Sequence, residues 1–294
     1  MSDPDTPPHT AGPEKSLARK SIRPTLKPRE LITDTPELAG AWSAQVITLF
    51  PQAFPGVLGE SLTGKALAEG LWQLHPIDLR RHGEGKHLNV DDTPAGGGAG
   101  MVLRADVLAK ALAQAKAQAR GVTPILYLSP RGKRIDQAMA RHLSQTDGVI
   151  LICGRFEGVD ERLIEHFGIT EVSLGDFILT GGEIAAMALI DATVRLIPRV
   201  LGNQSSTEEE SFSDGLLEHP QYTKPAVWEG RAIPEVLLSG HHAKITSWRK
   251  AMAARLTKTR RPDLWRAYCA QHGLDPDEDA KLSGGTGSVD KPQT

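Results

Sequence analysis

Between Ile125 and Pro198 the chain alternates short apolar runs with helical patterns, and a turn-forming residue closes each apolar run. ILYLS (125–129) stops at Pro130 and Gly132, GVILIC (148–153) runs into GRFEG, and a third run lies near 170–174. Between them, Ile135, Met139 and Leu143 repeat every four residues, which predicts a helix over about 134–145, and another helix is expected from Asp160. Strands alternating with helices need crossover connections, so this pattern restricts the chain to an α/β fold with a parallel sheet. In such sheets ligands bind outside the carboxyl ends of the strands. The turns after Ser129, Cys153 and Leu174 are therefore where a site is expected.

The flanking segments extend the pattern. QVITLF (45–50) reads as a buried strand stopped by Pro51, and the alanine-rich ADVLAKALAQAKAQAR predicts a helix over about 104–119, ending at Gly121. Thr180-Gly-Gly-Glu183 matches a capping box at the start of a helix that runs through Ala186, Ile190 and Val194 and stops at Pro198. Residues 202–215 (GNQSSTEEESFSDG) are polar, acidic and bounded by glycine, the composition of a linker. Without substrate bound the segment is expected to be mobile, since a lid that closes over substrate must be of low local stability. Residues 219–272 carry helical segments and a basic stretch of Lys244, Arg249, Lys250, Arg255, Lys258, Arg260, Arg261 and Arg266, against the single acid Asp263. The order of parts is thus 1–41 extension, 42–201 α/β domain, 202–215 linker, 216–274 helical domain and 275–294 tail.

Residues 1–41 are rich in proline and interrupted by Asp3, Asp5, Glu14 and Glu30. Those acids count against a mitochondrial transit peptide, and no apolar stretch suits a secretory signal. A disordered extension is the expected state, and the last 20 residues have the same character. No run of about 18 apolar residues occurs, so no membrane-spanning helix is expected. The two cysteines, Cys153 and Cys269, lie too far apart for a paired zinc motif. A formal charge of −2 leaves nucleic acid open as a partner, because a local basic patch suffices.

Several motifs have plainer readings beside the functional ones. Gly59-Glu-Ser-Leu-Thr-Gly64-Lys65 fits most of a phosphate-binding loop, but Ala66 stands where the magnesium-binding hydroxyl belongs, and the preceding strand ends eight residues too early. It is set aside. Gly96-Gly97-Gly98-Ala99-Gly100 lacks the register of a dinucleotide fingerprint and reads equally as a flexible loop. CGRFEGVDER (153–162) places Gly154 and Gly158 around Arg155, Phe156 and Glu157, a turn able to hold a flat polar ligand or simply to join strand to helix. Arg195 late in its helix complements the helix dipole, and Glu208 to Glu210 read as a solvated acidic run. His241 and His242 are adjacent, so they do not share a helix face as metal ligands would. From these residues alone, an α/β ligand-binding domain tethered to a basic helical domain follows; the reaction does not.

A resemblance supplies the reaction. ITLFPQAF (47–54), VDDTPAGGGAGM (90–101), YLSPRG (127–132), CGRFEGVDERL (153–163), SLGDFILTGGE (173–183), ESFSDGLLEHPQYTKP (210–225) and LLSGHHAKITSWR (237–249) resemble, in order, segments of the bacterial tRNA (guanine-N1)-methyltransferase family of the SPOUT superfamily. The resemblance covers about 42–266. It implies a SPOUT-type parallel sheet with a deep trefoil knot, followed by a small mostly helical domain. It also implies an obligate homodimer whose active sites draw on both subunits, in the cytoplasm, with tRNA as substrate and S-adenosyl-L-methionine as methyl donor. Carried over by motif, the donor pocket comprises Tyr127, Leu128, Ser129 and Pro130, then Gly154 and Glu157, then Leu174, Gly175, Asp176, Phe177, Ile178 and Leu179. Arg195 matches the family's catalytic arginine, and the general base falls on Glu210, where familiar members carry Asp; Glu209 and Asp214 are the substitutes. Magnesium near Glu157 and the base is a further implication. Lys244, Arg249 and Arg255 are expected to contact RNA. Two other classes compete: a non-catalytic RNA-binding relative, which would keep the basic domain but lose the base or the arginine and which the altered base leaves open, and a nucleotide-using enzyme resting on Gly59 to Lys65.

Overall fold

The computed structural model describes residues 40–201, 211–212 and 214–277, all within one compact unit. The strands are β1 (Trp42–Thr48), β2 (Trp72–Asp78), β3 (Asp91–Asp92), β4 (Val102–Leu103), β5 (Ile125–Arg134), β6 (Gly148–Cys153), β7 (Thr170–Ser173), β8 (Val227–Trp228) and β9 (Arg231–Ala232). The helices are α1 (Ser61–Ala68), α2 (Ala105–Gln118), α3 (Gln137–Ser144), α4 (Glu161–Phe167), α5 (Glu183–Val194), α6 (Glu235–Leu238), α7 (His242–Arg260) and α8 (Pro262–His272).

Five strands form one parallel sheet in the order β2-β1-β6-β5-β7. The strands are continuous apolar runs because both faces are covered. Alternate residues point to opposite sides: Val46, Leu126, Leu128, Leu151 and Val172 join a core with Ala186, Leu189 and Ile190 of α5. Ile47, Tyr127, Ile150 and Ile152 join another with Val107, Leu108, Ala111 and Leu112 of α2. β6 and β7 lie on opposite sides of β5, so the chain leaves β5 and β6 in opposite directions and opens a crevice at their carboxyl ends.

The alternation read from the sequence is present, with altered limits. The first strand is Trp42–Thr48 rather than 45–50. β5 does not stop at Pro130: after an irregularity between Leu128 and Lys133 it pairs again with β7, Lys133 against Val172 and Arg134 against Ser173. Gly132 makes this continuation possible, since a β-carbon there would lie 2.2 Å from the Val172 nitrogen. The helix after β5 is shorter than expected, Gln137–Ser144, and its N-cap is Asp136, whose carboxylate accepts from the Met139 amide at 2.8 Å.

A third apolar cluster, of Leu216, Ala254, Trp265, Tyr268 and Cys269, holds α7 and α8 together. Before these helices the chain forms the β8–β9 hairpin, which composition does not separate from the helical region. Most of the extension (1–39), the linker segment 202–210 with Glu208, Glu209 and Glu210, and the tail from 278 onward lie outside the described residues.

Candidate donor pocket and its surroundings

The irregular stretch within β5 and the turns at the carboxyl ends of β6 and β7 meet around a cavity of about 340 Å3. Tyr127 to Arg131 form one wall, Gly154 to Val159 the second, and Leu174, Gly175 and Phe177 to Gly182 the third. Of the twelve residues expected to line a donor pocket, eleven line this cavity. Asp176 does not: its side chain is exposed and faces Arg134 at 3.7 Å.

Local chemistry fixes each wall. The amide of Glu157 donates to the Met101 carbonyl at 2.9 Å, and the Leu103 amide donates to the Gly158 carbonyl at 2.9 Å. The second turn is therefore fastened to the segment following the glycine run, and the backbone at Gly100 packs directly on the Glu157 side chain, where a β-carbon would lie 2.5 Å from Cγ. In the third turn the Ser173 hydroxyl donates to the Gly175 carbonyl at 3.0 Å. The Gly182 amide donates to the Gly154 carbonyl at 3.1 Å, tying third turn to second. Gly182 has no room for a side chain, because a β-carbon would sit 2.8 Å from Cα of Cys153.

The expected capping box at Thr180 to Glu183 is absent. The N-cap of α5 is Gly182, and no side chain caps the helix. Glu183 is instead buried and engaged elsewhere: its carboxylate accepts from the Thr48 hydroxyl at 2.7 Å and from Arg155 Nη2 at 2.7 Å. A guanidinium within reach is a stronger partner for a carboxylate than a backbone amide. Arg131 forms a second charged junction, donating to Glu171 at 3.0 Å and to Glu161 at 2.9 Å. Burial raises the Tyr127 phenol above its ordinary pKa, with Glu171 adding to the effect. Burial also holds the Cys153 thiol well above the usual range, again helped by a carboxylate, that of Glu183.

The rim is apolar. Phe156, Phe177 and Ile178 are all exposed there. Arg131, Arg155, Phe156, Thr180, Gly181 and Gly182 also line the cavity, although the family resemblance does not mark them as donor contacts. Each sits in YLSPRG, CGRFEGVDERL or SLGDFILTGGE, and the signal that finds them is the strand-end topology, which selects whole turns.

Arg195 is not part of this cavity. It follows α5, which starts beside the pocket, and the twelve residues of that helix span about 18 Å. Glu210 lies outside the described residues. Among the basic residues, Lys244 and Arg255 are exposed on α7 and Arg249 is half-buried. Asp263 pairs with Arg261 at 2.6 Å, which pulls its carboxyl down to about 2. Among the described residues no three His, Cys, Asp or Glu side chains gather as a metal site, and His241 and His242 are no exception. Gly59 to Lys65 does not arch over a phosphate: Gly56–Gly59 is a short helical turn, and a β-carbon on Gly64 would meet the Gly59 carbonyl oxygen at 2.0 Å, so the two glycines pack on each other.

The profile of the family described as tRNA (Guanine-1)-methyltransferase TrmD matches residues 43–267. A Ruegeria sp. (strain TM1040) protein named tRNA (guanine-N(1)-)-methyltransferase is 69% identical over 240 residues, covering 82% of this chain and 98% of that protein. A protein of the same name from Cereibacter sphaeroides (strain KD131) is 68% identical over 248 residues, 83% of this chain and 100% of the relative. One from Brucella suis is 56% identical over 239 residues, 81% of this chain and 96% of its own length. With a family match that takes in both the three pocket turns and the basic helices, the chain belongs to the tRNA (guanine-N1)-methyltransferase family.

Proposed function

We propose that this protein is an enzyme that transfers a methyl group from S-adenosylmethionine to N1 of the guanosine immediately 3′ to the anticodon in tRNA. The observation that carries the reading is the convergence of three turns on one cavity in a chain of this family. The cavity suits a compact polar ligand: its size falls in the range of small-molecule sites, and at Gly154 and Gly182 bare backbone forms the wall.

When bound, the donor supplies a methyl group already activated by its sulfonium centre. The protein must then align acceptor with donor and manage one proton. Backbone of the three turns holds the donor, with Tyr127 to Pro130, Gly154, Glu157 and Leu174 to Leu179 as its surroundings. Glu210 removes the N1 proton, and Arg195 balances the negative charge that develops on the neighbouring carbonyl oxygen. A glutamate in the base position keeps this chemistry with a longer reach. A magnesium ion, when bound, would be held by Glu157 and the base together with substrate and would supply positive charge there.

The pocket turns belong to a trefoil-knotted SPOUT domain spanning 42–201. The linker 202–215 carries the base, and 216–274 is a tRNA-binding domain, supported by its own apolar cluster and by Lys244, Arg249 and Arg255. A homodimer shares its active sites between subunits, supported by the separation of Arg195 from the pocket along α5. A cytoplasmic location fits a tRNA substrate, and among the described residues no helix is long and apolar enough to cross a membrane.

Arg195→Ala tests the reaction. Binding of S-adenosylhomocysteine, measured by calorimetry, is expected to be largely retained while methylation of unmodified tRNA is abolished. Retained turnover would end the assignment of Arg195 to catalysis.

A further inference from the structure

The charged junction beneath the pocket has a geometry that packing alone does not require. The Arg155 guanidinium turns each of its edges to a polar partner. Nη2 donates to Glu183 Oε2 at 2.7 Å, Nε approaches Oε1 of the same carboxylate at 3.4 Å, and Nη1 donates to the Thr180 carbonyl at 3.1 Å. Its flat face lies over the Phe50 ring, 4.4 Å from the centroid. Gly181 lets the guanidinium lie against the third turn, because a β-carbon there would fall 2.2 Å from Nε.

Glu183 is equally committed. It is 4% exposed, and its carboxylate takes the Thr48 hydroxyl as well as Arg155. That hydroxyl in turn accepts from the Phe50 amide at 2.9 Å. A continuous chain of bonds therefore runs from the end of β1, through Glu183 at the start of α5, through Arg155 on the second turn, to the Thr180 carbonyl on the third. Arg155, Thr180, Gly181 and Gly182 all face the cavity.

We propose that Arg155 is a positioning residue for the donor pocket: held by the buried Glu183 carboxylate, its guanidinium fixes the turn after β7 against the turn after β6. The Gly182 to Gly154 backbone bond also joins those two walls. That bond by itself leaves Thr180 and the residues before it free to swing about Gly181 and Gly182; the guanidinium removes that freedom before the donor arrives, so binding requires less ordering. The charge of Glu183 is neutralised within the wall and is not available to a ligand. This role for Arg155 rests on the cavity being the donor site.

A lysine separates the charge from the fork. Arg155→Lys keeps a cation opposite Glu183, so the buried carboxylate is not abandoned, but one ammonium cannot reach Glu183 and the Thr180 carbonyl in the same planar arrangement. The expected result is a melting temperature close to that of the wild type, S-adenosylhomocysteine affinity and donor KM weakened roughly tenfold, and kcat at saturating donor reduced by far less. Equal donor KM in Arg155→Lys and wild type overturns the inference. So does a parallel loss of melting temperature, kcat and tRNA affinity, which marks a purely structural residue. If the lysine variant fails to fold, Gly181→Ala provides the same readout with both charges still present, because its methyl group displaces the guanidinium from the third turn; unchanged donor KM there also overturns it. Failure of the wild type itself to bind S-adenosylhomocysteine sinks the donor-site reading, a result distinct from either variant's behaviour.

Discussion

Mixing two inactive variants asks whether Arg195 serves the pocket of its own chain. Arg195→Ala removes the cation proposed to act in catalysis and leaves the cavity whole. Gly175→Val damages the cavity and leaves the arginine: Gly175 lines the pocket, and a β-carbon there would come 2.6 Å from the Phe177 ring. That ring is exposed and can move, so the variant is expected to fold while its donor pocket is obstructed. The pocket adjoins the first residues of α5, and Arg195 lies one helix length away, about 18 Å. An arginine side chain covers only part of that distance, whereas reacting groups must sit about 3–3.5 Å apart.

If Arg195 acts on the partner's pocket, each mixed dimer has one site with both intact parts and one with neither. Half of the sites in a purified mixed dimer then work, so about half of wild-type turnover per dimer returns; in the unfractionated random mixture, where only half of the dimers are mixed, about a quarter returns. If Arg195 serves its own pocket, every site in a mixed dimer is broken and nothing returns. The assay is methyl incorporation into unmodified tRNA after co-expression of differently tagged chains, with mixed dimers purified through both tags. Confirmed mixed dimers with activity no higher than either parent would refute the shared-site argument.

Charge removal at Lys244, Arg249 and Arg255 is expected to weaken tRNA binding, and the slope of log affinity against log salt should fall by about one for each phosphate no longer neutralised; an unchanged salt series counts against a basic RNA face. Gln45 is fully buried on β1, and neither of its side-chain amide atoms has a hydrogen-bond partner. Gln45→Leu should therefore be neutral or stabilising by about 1 kcal/mol in urea unfolding, since an unsatisfied buried amide costs about 1–3 kcal/mol; a clear loss of stability would refute this. Burial raises the Cys153 thiol well above its usual pKa and raises that of Cys269 as well. A higher pKa means less thiolate at a given pH, so both cysteines should resist a disulfide reagent at pH 8 until the protein is denatured; rapid labelling of the native protein at either position would contradict it.

The parallel sheet was legible because its strands are buried on both faces, and burial on both faces leaves an unbroken apolar signature such as GVILIC, found as Gly148–Cys153. The turns after β6 and β7 followed from the strand ends. Limits set by tertiary contact were not legible. Pro130 and Gly132 are stop signals locally, yet β5 continues past them because β7 offers a second stretch of edge at Val172 and Ser173. Asp176 sits in the middle of a pocket motif, but spacing along a turn does not say which side chains face inward, and this one faces Arg134.

Glu183 shows most directly why pattern and role part company. Three residues after a threonine and at a helix start, it satisfies the local rule for a capping carboxylate. That rule compares only neighbours in sequence, and it holds when nothing better lies within reach. Here folding brings Thr48, 135 positions away, and Arg155, 28 positions away, to the same carboxylate. A buried charge left without its partner costs far more than a missing cap, so the long-range pair wins and the helix start does without a side-chain cap. The distinction has an experimental signature. Glu183→Ala should cost more than the roughly 1 kcal/mol of a missing cap, because it strands Arg155. Removing both charges in Arg155→Met/Glu183→Leu should recover part of that stability, while donor binding stays weak because the Thr180 carbonyl no longer has its donor. A double variant no more stable than Glu183→Ala would mean that the pair is not coupled and that the carboxylate acts through Thr48 alone.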